Sequence, residues 1–193
     1  MPRIHTDSLA AHRDWRRNQL IEAAAAIALE SGGESITVAA VAARAGLSRT
    51  SVYEYFASSA DMAADLIIDE LDSFADELAR AISGELDPIA ALSIWIKASL
   101  NYIADGRHLL AKALNSIDIP RERGAAIASA HRALLAPLQK NLLAIGLSDT
   151  SQAMALLQSA TDVATKRIEN GNDAEREIIM TTAFCIAGIR ALI

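Results

Sequence analysis

The sequence predicts an all-α fold, and three observations carry that prediction. Ala, Leu, Glu and Arg dominate the 193 residues, and aromatic residues make up only 4%. Apolar residues recur at spacings of three and four, and β-branched residues rarely alternate with a period of two. Gly and Pro fall between the periodic stretches, where they act as punctuation. The expected architecture is an N-terminal three-helix unit containing a helix-turn-helix, over residues 1–56, followed by a six-helix body over residues 57–193. Residues 1–13 are expected to form an arm ahead of the first helix.

Each helix has a local reason. The first is expected from about Asp14 to Ser31, with Leu20, Ala24 and Ile27 on its inner face and Gly32-Gly33 as its stop. Thr37 caps a second helix, Val38 to Ala45, which ends at Gly46, a residue free to take the left-handed conformation. Ser48 caps a third, through about Tyr55. Two short helices joined at a glycine make a helix-turn-helix. The fourth is long, from about Ser59 to Ile82, with an apolar stripe of Ile67, Leu71, Phe74, Leu78 and Ile82. Asp87-Pro88 opens the fifth, because Pro suits a first helical turn, and Asp105-Gly106 ends it. A short sixth covers about Arg107 to Asn115, and Ser116–Gly124 is expected as a loop around Pro120. The seventh runs on to about Ile145 with a bend near Pro137. The eighth follows Ser148 and ends at Glu169, before Asn170-Gly171. The ninth begins at Asp173 and continues to the C-terminus.

Composition excludes several classes. Hydrophobic residues at 52% and charged residues at 22% mark a folded chain with a core. The single cysteine, Cys185, leaves no internal disulfide and no cysteine-cluster zinc site, and fits a reducing, cytoplasmic setting. No uncharged apolar run reaches the length of a transmembrane helix, so no membrane association is expected. The first residues, MPRIHTDSLAAHRDWRR, lack the apolar stretch of a secretory signal. The net charge of −6 argues against indiscriminate nucleic-acid binding. It is unevenly spread, however. Residues 1–56 contain six Arg and six acidic residues, and Arg3, Arg13, Arg16 and Arg17 all precede residue 18. Arginine forms forked contacts with phosphate and guanine.

The last two helices point to a partner. Ile178, Thr182, Cys185, Ile189 and Leu192 form one stripe of the ninth helix, and Ile179, Ala183 and Ile186 form another. The eighth offers small residues at Ala153, Ala160 and Ala164. A helix apolar on more than one face needs cover on both sides. A larger monomer core would supply it; so would a second copy of the chain, and a four-helix dimer interface is the preferred reading.

In Thr37–Phe56, Val38, Val41, Ala42, Ala45, Leu47, Val52 and Phe56 are expected to point inward. Arg44, Ser48, Arg49, Thr50, Ser51, Tyr53 and Tyr55 remain for the outer face. Short hydroxyl side chains and an arginine at a helix start suit a reader of the DNA major groove, and helix N-termini offer backbone N–H groups to phosphate.

This segment resembles the DNA-binding domain of the TetR family of bacterial transcriptional regulators. The resemblance rests on Ile21, Ala23 and Ala24 in the first helix, then Thr37, Val41, Ala42, Ala45, Gly46, Leu47 and Ser48, then Val52, Tyr53, Tyr55 and Phe56. It covers about residues 18–66. It implies that Tyr53 bonds a phosphate, that Tyr55 is a second backbone contact, and that Arg49, Thr50 and Ser51 meet bases and nearby phosphates. Thr37 would abut the DNA backbone, with Arg44 just before the turn. The sequence departs from the family after Phe56, where Ser58, Ser59, Ala60 and Asp61 replace a Ser-Lys-Glu-like run; Ser59 retains a hydroxyl for phosphate but not the charge. Arg16 and Arg17, with Arg13, are expected to add contacts from the N-terminal side.

The resemblance also implies a small-molecule pocket in the body. Polar groups within its apolar helices, namely Trp95, Asn101, Tyr102, His108, His131, Gln158, Thr161 and Asp162, are the expected lining. No catalytic motif is present, and His5, His12, His108 and His131 have no partner at metal-ligand spacing, so no enzyme activity, metal or cofactor is expected. The expected function is a cytoplasmic, homodimeric repressor that binds a palindromic operator in double-stranded DNA and is released by a small-molecule effector. The alternatives are a helical ligand-binding or adaptor protein that has lost operator binding and, further off, a helical enzyme.

Overall fold

A computed structural model describes residues 9–193, which are helical with no strand among them. The elements are α1 (Leu9–Ser31), a single 3-10 turn (Gly33–Ser35), α2 (Val38–Ala45), α3 (Arg49–Tyr53), α4 (Ser59–Ala81), α5 (Pro88–Ala104), α6 (Leu109–Leu114), α7 (Arg121–Ile145), α8 (Thr150–Glu169) and α9 (Ala174–Arg190). Three helices followed by six is the order expected from sequence. Arg3 and His5 lie outside the described residues.

Local chemistry sets most of the boundaries. Thr37 and Ser48 cap α2 and α3, with Thr37 Oγ1 accepting from the Ala40 N–H and Ser48 Oγ from the Ser51 N–H. Asp87 caps α5 with Pro88 in the first turn, and Asp173 caps α9. Two starts differ from expectation by several residues. α1 begins at Leu9, so Arg13, Arg16 and Arg17 stand in its second and third turns, beyond the first turn in which the helix dipole acts. α7 begins at Arg121, inside the segment expected as a loop. Pro120 precedes it, the Pro120 carbonyl accepts from the Arg123 N–H, and Gly124 is an exposed interior residue that costs about 1 kcal/mol without breaking the helix. Asp149 caps α8, its side chain accepting from the Gln152 N–H.

The chain divides into two compact units. One takes the described residues up to Glu70 together with Leu109–Ala128; the other takes Leu71–His108 and Ser129–Ile193. The division falls within α4 and within α7, and the first unit therefore extends beyond the three-helix segment expected at 1–56. In the first unit, Leu20, Ala24 and Ile27 of α1 pack with Val41, Ala42, Val52, Phe56, Met62 and Leu114. In the second, Leu78, Leu92, Ile96, Leu100, Leu138 and Leu142 form the centre of the core, joined by Leu157 of α8 and Ile178, Cys185 and Ile189 of α9. The stripe expected on α4 is shared between these cores: Ile67 packs into the first, Leu71, Phe74, Leu78 and Ile82 into the second.

Candidate nucleic-acid interface

The turn between α2 and α3 is built by its glycine. Gly46 adopts φ 67°, ψ 30°, the left-handed region that disfavours other residues, and its N–H reaches the Ala42 and Ala43 carbonyls. Leu47 N–H bonds the Ala42 carbonyl as well, closing the end of α2. The chain then turns into α3, which Val52 and Phe56 anchor from below at 0% and 4% exposure.

That anchoring decides what α3 presents. Ser48, Arg49, Thr50, Tyr53 and Glu54 are exposed, and Tyr53 is 59% exposed despite its size. Arg49 makes no ion pair among the described residues. Ser51 is half-buried, its hydroxyl 2.9 Å from Ser48 Oγ, so these two side chains serve the helix cap first. Thr37 is exposed at the start of α2. Tyr55 is half-buried at the edge of the core, with the Arg13 guanidinium 5.9 Å from its ring centre. Arg49, Thr50 and Tyr53 thus share the free surface with Thr37, while Tyr55 lies lower, against α1.

Two of the expected contacts, Arg44 and Arg17, have partners inside the protein. Arg44 is clasped through both terminal nitrogens by Glu30 at 2.5 and 2.6 Å, and the guanidinium holds the Glu30 carboxyl below its ordinary value. Arg17 bonds Asp65, and its guanidinium lies 5.6 Å from the Phe56 ring centre. Ser59 opens α4, but Ser58 is the residue that caps it: Ser58 Oγ accepts from the Asp61 N–H at 3.1 Å and donates to Asp61 Oδ2 at 2.9 Å. A carboxylate therefore stands at that helix start. Arg16 is half-buried with its Nε unpartnered. Glu30 and Asp65 were not singled out from the sequence. They lie 14 and 48 residues from their partners, and no local spacing marks such pairs.

The residues expected to line a body pocket are scattered by their surroundings. Trp95 and Tyr102 are buried, Tyr102 stacking on Phe74 at 4.1 Å between ring centres. The Trp95 Nε1 and His108 Nδ1 atoms are buried without a partner, and His108 Nε2 is 2.9 Å from Glu169. Thr161 bonds its own helix at the Leu157 and Gln158 carbonyls, and Gln158 is half-buried. Asn101, His131 and Asp162 are exposed. A cavity of about 520 Å³ opens elsewhere in the second unit, between the end of α4, the start of α5 and α7, lined by Ile82, Glu85, Ala91, Ala133, Pro137, Lys140 and Asn141 among others. Pro137 has no N–H to offer the Ala133 carbonyl, and Asn141 Nδ2 is buried without a partner.

On α9 the first expected stripe is buried except at Leu192, and of the second Ile179 and Ala183 are exposed while Ile186 packs on the core. Ile178, Thr182, Cys185 and Ile189 are buried, whereas Leu156, Val163, Ile179, Met180, Phe184 and Leu192 are exposed, Phe184 at 74%. A groove of about 270 Å³ runs along this apolar face beside Leu156, Phe184, Gly188 and Leu192. Burial pushes the Cys185 thiol up from its ordinary value. No group of metal-ligating side chains occurs among the described residues, and none of their helices is long and apolar enough to cross a membrane.

Residues 20–66 match the family described as bacterial regulatory proteins, tetR family. The amino-terminal domain is a tetR-family domain. The match spans α1 from Leu20, the helix-turn-helix and the first two turns of α4. Solved structures extend the likeness over the whole fold. The transcriptional regulator FadR from Bacillus subtilis, in complex with stearoyl-CoA, is 21% identical with a TM-score of 0.73, over 89% of this chain and 98% of that one. The fatty acid degradation regulator FadR from Bacillus halodurans is 20% identical with a TM-score of 0.72, over 91% and 96%. A TetR-like transcriptional regulator from Rhodococcus sp. RHA1 is 20% identical with a TM-score of 0.69, over 91% and 96%. No curated protein matches the sequence. The tetR-type domain thus stands on sequence and structure together, and the six following helices on likeness of fold.

Proposed function

We propose that the protein is a homodimeric transcriptional repressor that binds a palindromic operator through α3 and is released by a small molecule held in its body. The observation that carries this reading is the outer face of α3. Arg49, Thr50 and Tyr53 are exposed on a helix whose start is capped and whose buried side is fixed by Val52 and Phe56. An unpaired arginine beside a hydroxyl at a helix start is equipped to read a guanine edge, and Tyr53 to bond a phosphate.

The apolar face of α8 and α9 supports the dimer, since a second copy would cover Phe184, Met180 and Leu156 and bring two α3 helices into one assembly. Operator half-sites are then expected about one helical turn apart, ~34–36 Å. The cavity beside Pro137 and Asn141 offers an effector site of ordinary size for a small ligand, and the buried Trp95 and Tyr102 remain lining residues for one reached from within. Such a regulator works on chromosomal DNA, in the cytoplasm.

Selection from random duplex DNA at low salt tests the reading, followed by titration of the enriched site. Arg49→Ala should relax specificity at one base position and cost ~1–3 kcal/mol. Tyr53→Phe should weaken all sequences alike. Acyl-CoA and other small metabolites are then added to the bound operator, with the expectation that one releases it. The adaptor reading draws on the −6 net charge and on Asp61, a carboxylate where α4 meets the reader. Failure to enrich any symmetric site would favour it.

A further inference from the structure

Asp65, in α4, is 16% exposed, and each of its carboxylate oxygens is taken by a different arginine. Oδ2 accepts from Arg17 of α1, and Oδ1 from Arg123 in the first turn of α7. A carboxylate between two guanidiniums converts what would be repulsion into attraction, and part burial limits the screening that water would provide. A second contact lies in the same unit. Gly33, in the turn after α1, packs so closely on the 109–128 segment that a Cβ there would stand 2.4 Å from the Ala113 carbonyl oxygen and 3.0 Å from Ile117. Residues 109–123 are therefore fastened to α1 and its following turn twice, once by close backbone approach and once by charge. α1 in turn forms the floor on which α2 packs, through Leu20, Ala24 and Val41.

We infer that Asp65 and Arg123 are positioning residues for operator binding, and that Arg17 belongs to their clamp and does not contact DNA. The clamp holds α1 against α4 and the start of α7, and so sets the angle at which α2 and α3 meet the duplex. This rests on the operator-binding reading above. It makes a prediction whose sign separates the two roles of Arg17. Were Arg17 a phosphate contact restrained by Asp65, then Asp65→Asn would free it and tighten binding. In a clamp, the same change leaves Arg17 and Arg123 facing each other without a counter-charge, and binding weakens.

The test uses the full chain and its selected operator, with binding measured from about 50 to 200 mM salt. Asp65→Asn, Arg123→Met and Arg17→Met should each weaken binding roughly five-fold or more, with the slope of log affinity against log salt unchanged. Removing a phosphate contact would instead lower that slope by about one. Asp65→Glu should retain most of the affinity, and Asp65→Asn/Arg123→Met should be little weaker than Asp65→Asn alone, because both break one network. Tighter binding by Asp65→Asn, or a reduced slope for Arg17→Met with Arg123→Met neutral, overturns the proposal. Should the wild type bind no operator, the functional reading fails on its own, and hydrogen exchange decides the clamp. Arg123→Met must then speed exchange in α1 as well as in α6 and α7, and unchanged exchange in α1 refutes the clamp.

Discussion

Each of the two units is built around a core of a different kind. The core around the helix-turn-helix is rich in alanine: Ala23, Ala24, Ala28, Ala42 and Ala63 are all buried in it. Small side chains bring helices close and leave few rotamers to rearrange, so the geometry is set by backbone contact, caps and the left-handed Gly46. The core of α5 and its neighbours is built from Leu78, Leu92, Ile96, Leu100, Leu138 and Leu142, every one at 1% exposure or less. Large aliphatic residues stabilise through the area they bury. Their packing also tolerates irregularity, and the second unit contains both a proline inside α7 and the cavity beside it. The difference teaches that a unit set by close backbone contact and a unit that holds a cavity can be made from the same kind of helix by changing side-chain size.

The contrast can be broken first in the body. Leu92→Ala removes a fully buried side chain with little room for collapse and should cost ~2–5 kcal/mol in a urea titration. Next is the close approach at Gly33. Gly33→Ala should cost ~1–3 kcal/mol, because the nearest atom is backbone and cannot rotate away. A smaller effect is expected at the caps, where Thr37→Ala and Ser48→Ala should each cost ~0.5–2 kcal/mol. If the cap variants proved as damaging as Leu92→Ala, the assignment of area to one unit and local geometry to the other would fall.

The smallest effect sharpens the electrostatic side of the comparison. Arg44 holds the Glu30 carboxyl below its ordinary value of 4.5, chiefly by hydrogen bonding. A carboxyl whose folded value is lowered contributes stability above its unfolded value, and that contribution is lost as pH falls through the lowered folded value. Glu30→Gln should therefore lower the neutral midpoint slightly, leave the midpoint in acid unchanged, and so flatten the acid limb of a stability-versus-pH curve. A loss in acid as large as the loss at neutral pH would show that the pair's contribution does not come from the Glu30 charge.

Much of the helix-turn-helix was legible because its signals are local. A hydroxyl three residues from the N–H it accepts, or a glycine at a helix end, can be seen in a window of a few residues. The positions of Val41, Val52 and Phe56 follow from the same periodicity. What escaped was long-range. Nothing near Arg44 announces Glu30, and nothing near Arg17 announces Asp65 or Arg123, because those pairings depend on how α1 lies against α2, α4 and α7. The start of α7 escaped for a different reason: Pro120 and Gly124 read as loop punctuation, but a proline just ahead of a helix and an exposed glycine within it are both compatible with continuing turns.

The sequence by itself determined the all-α class, the order of three helices and six, the capped turn at Gly46 and the apolar excess of α9, since each is a matter of residue type within one or two helical turns. Tertiary structure decided which arginines remain free. Arg49 is left exposed, Arg44 is clasped by Glu30, and Arg17 is drawn to Asp65. The physical reason is that a charge takes its role from its nearest opposite charge, and in a folded chain that neighbour can come from any helix.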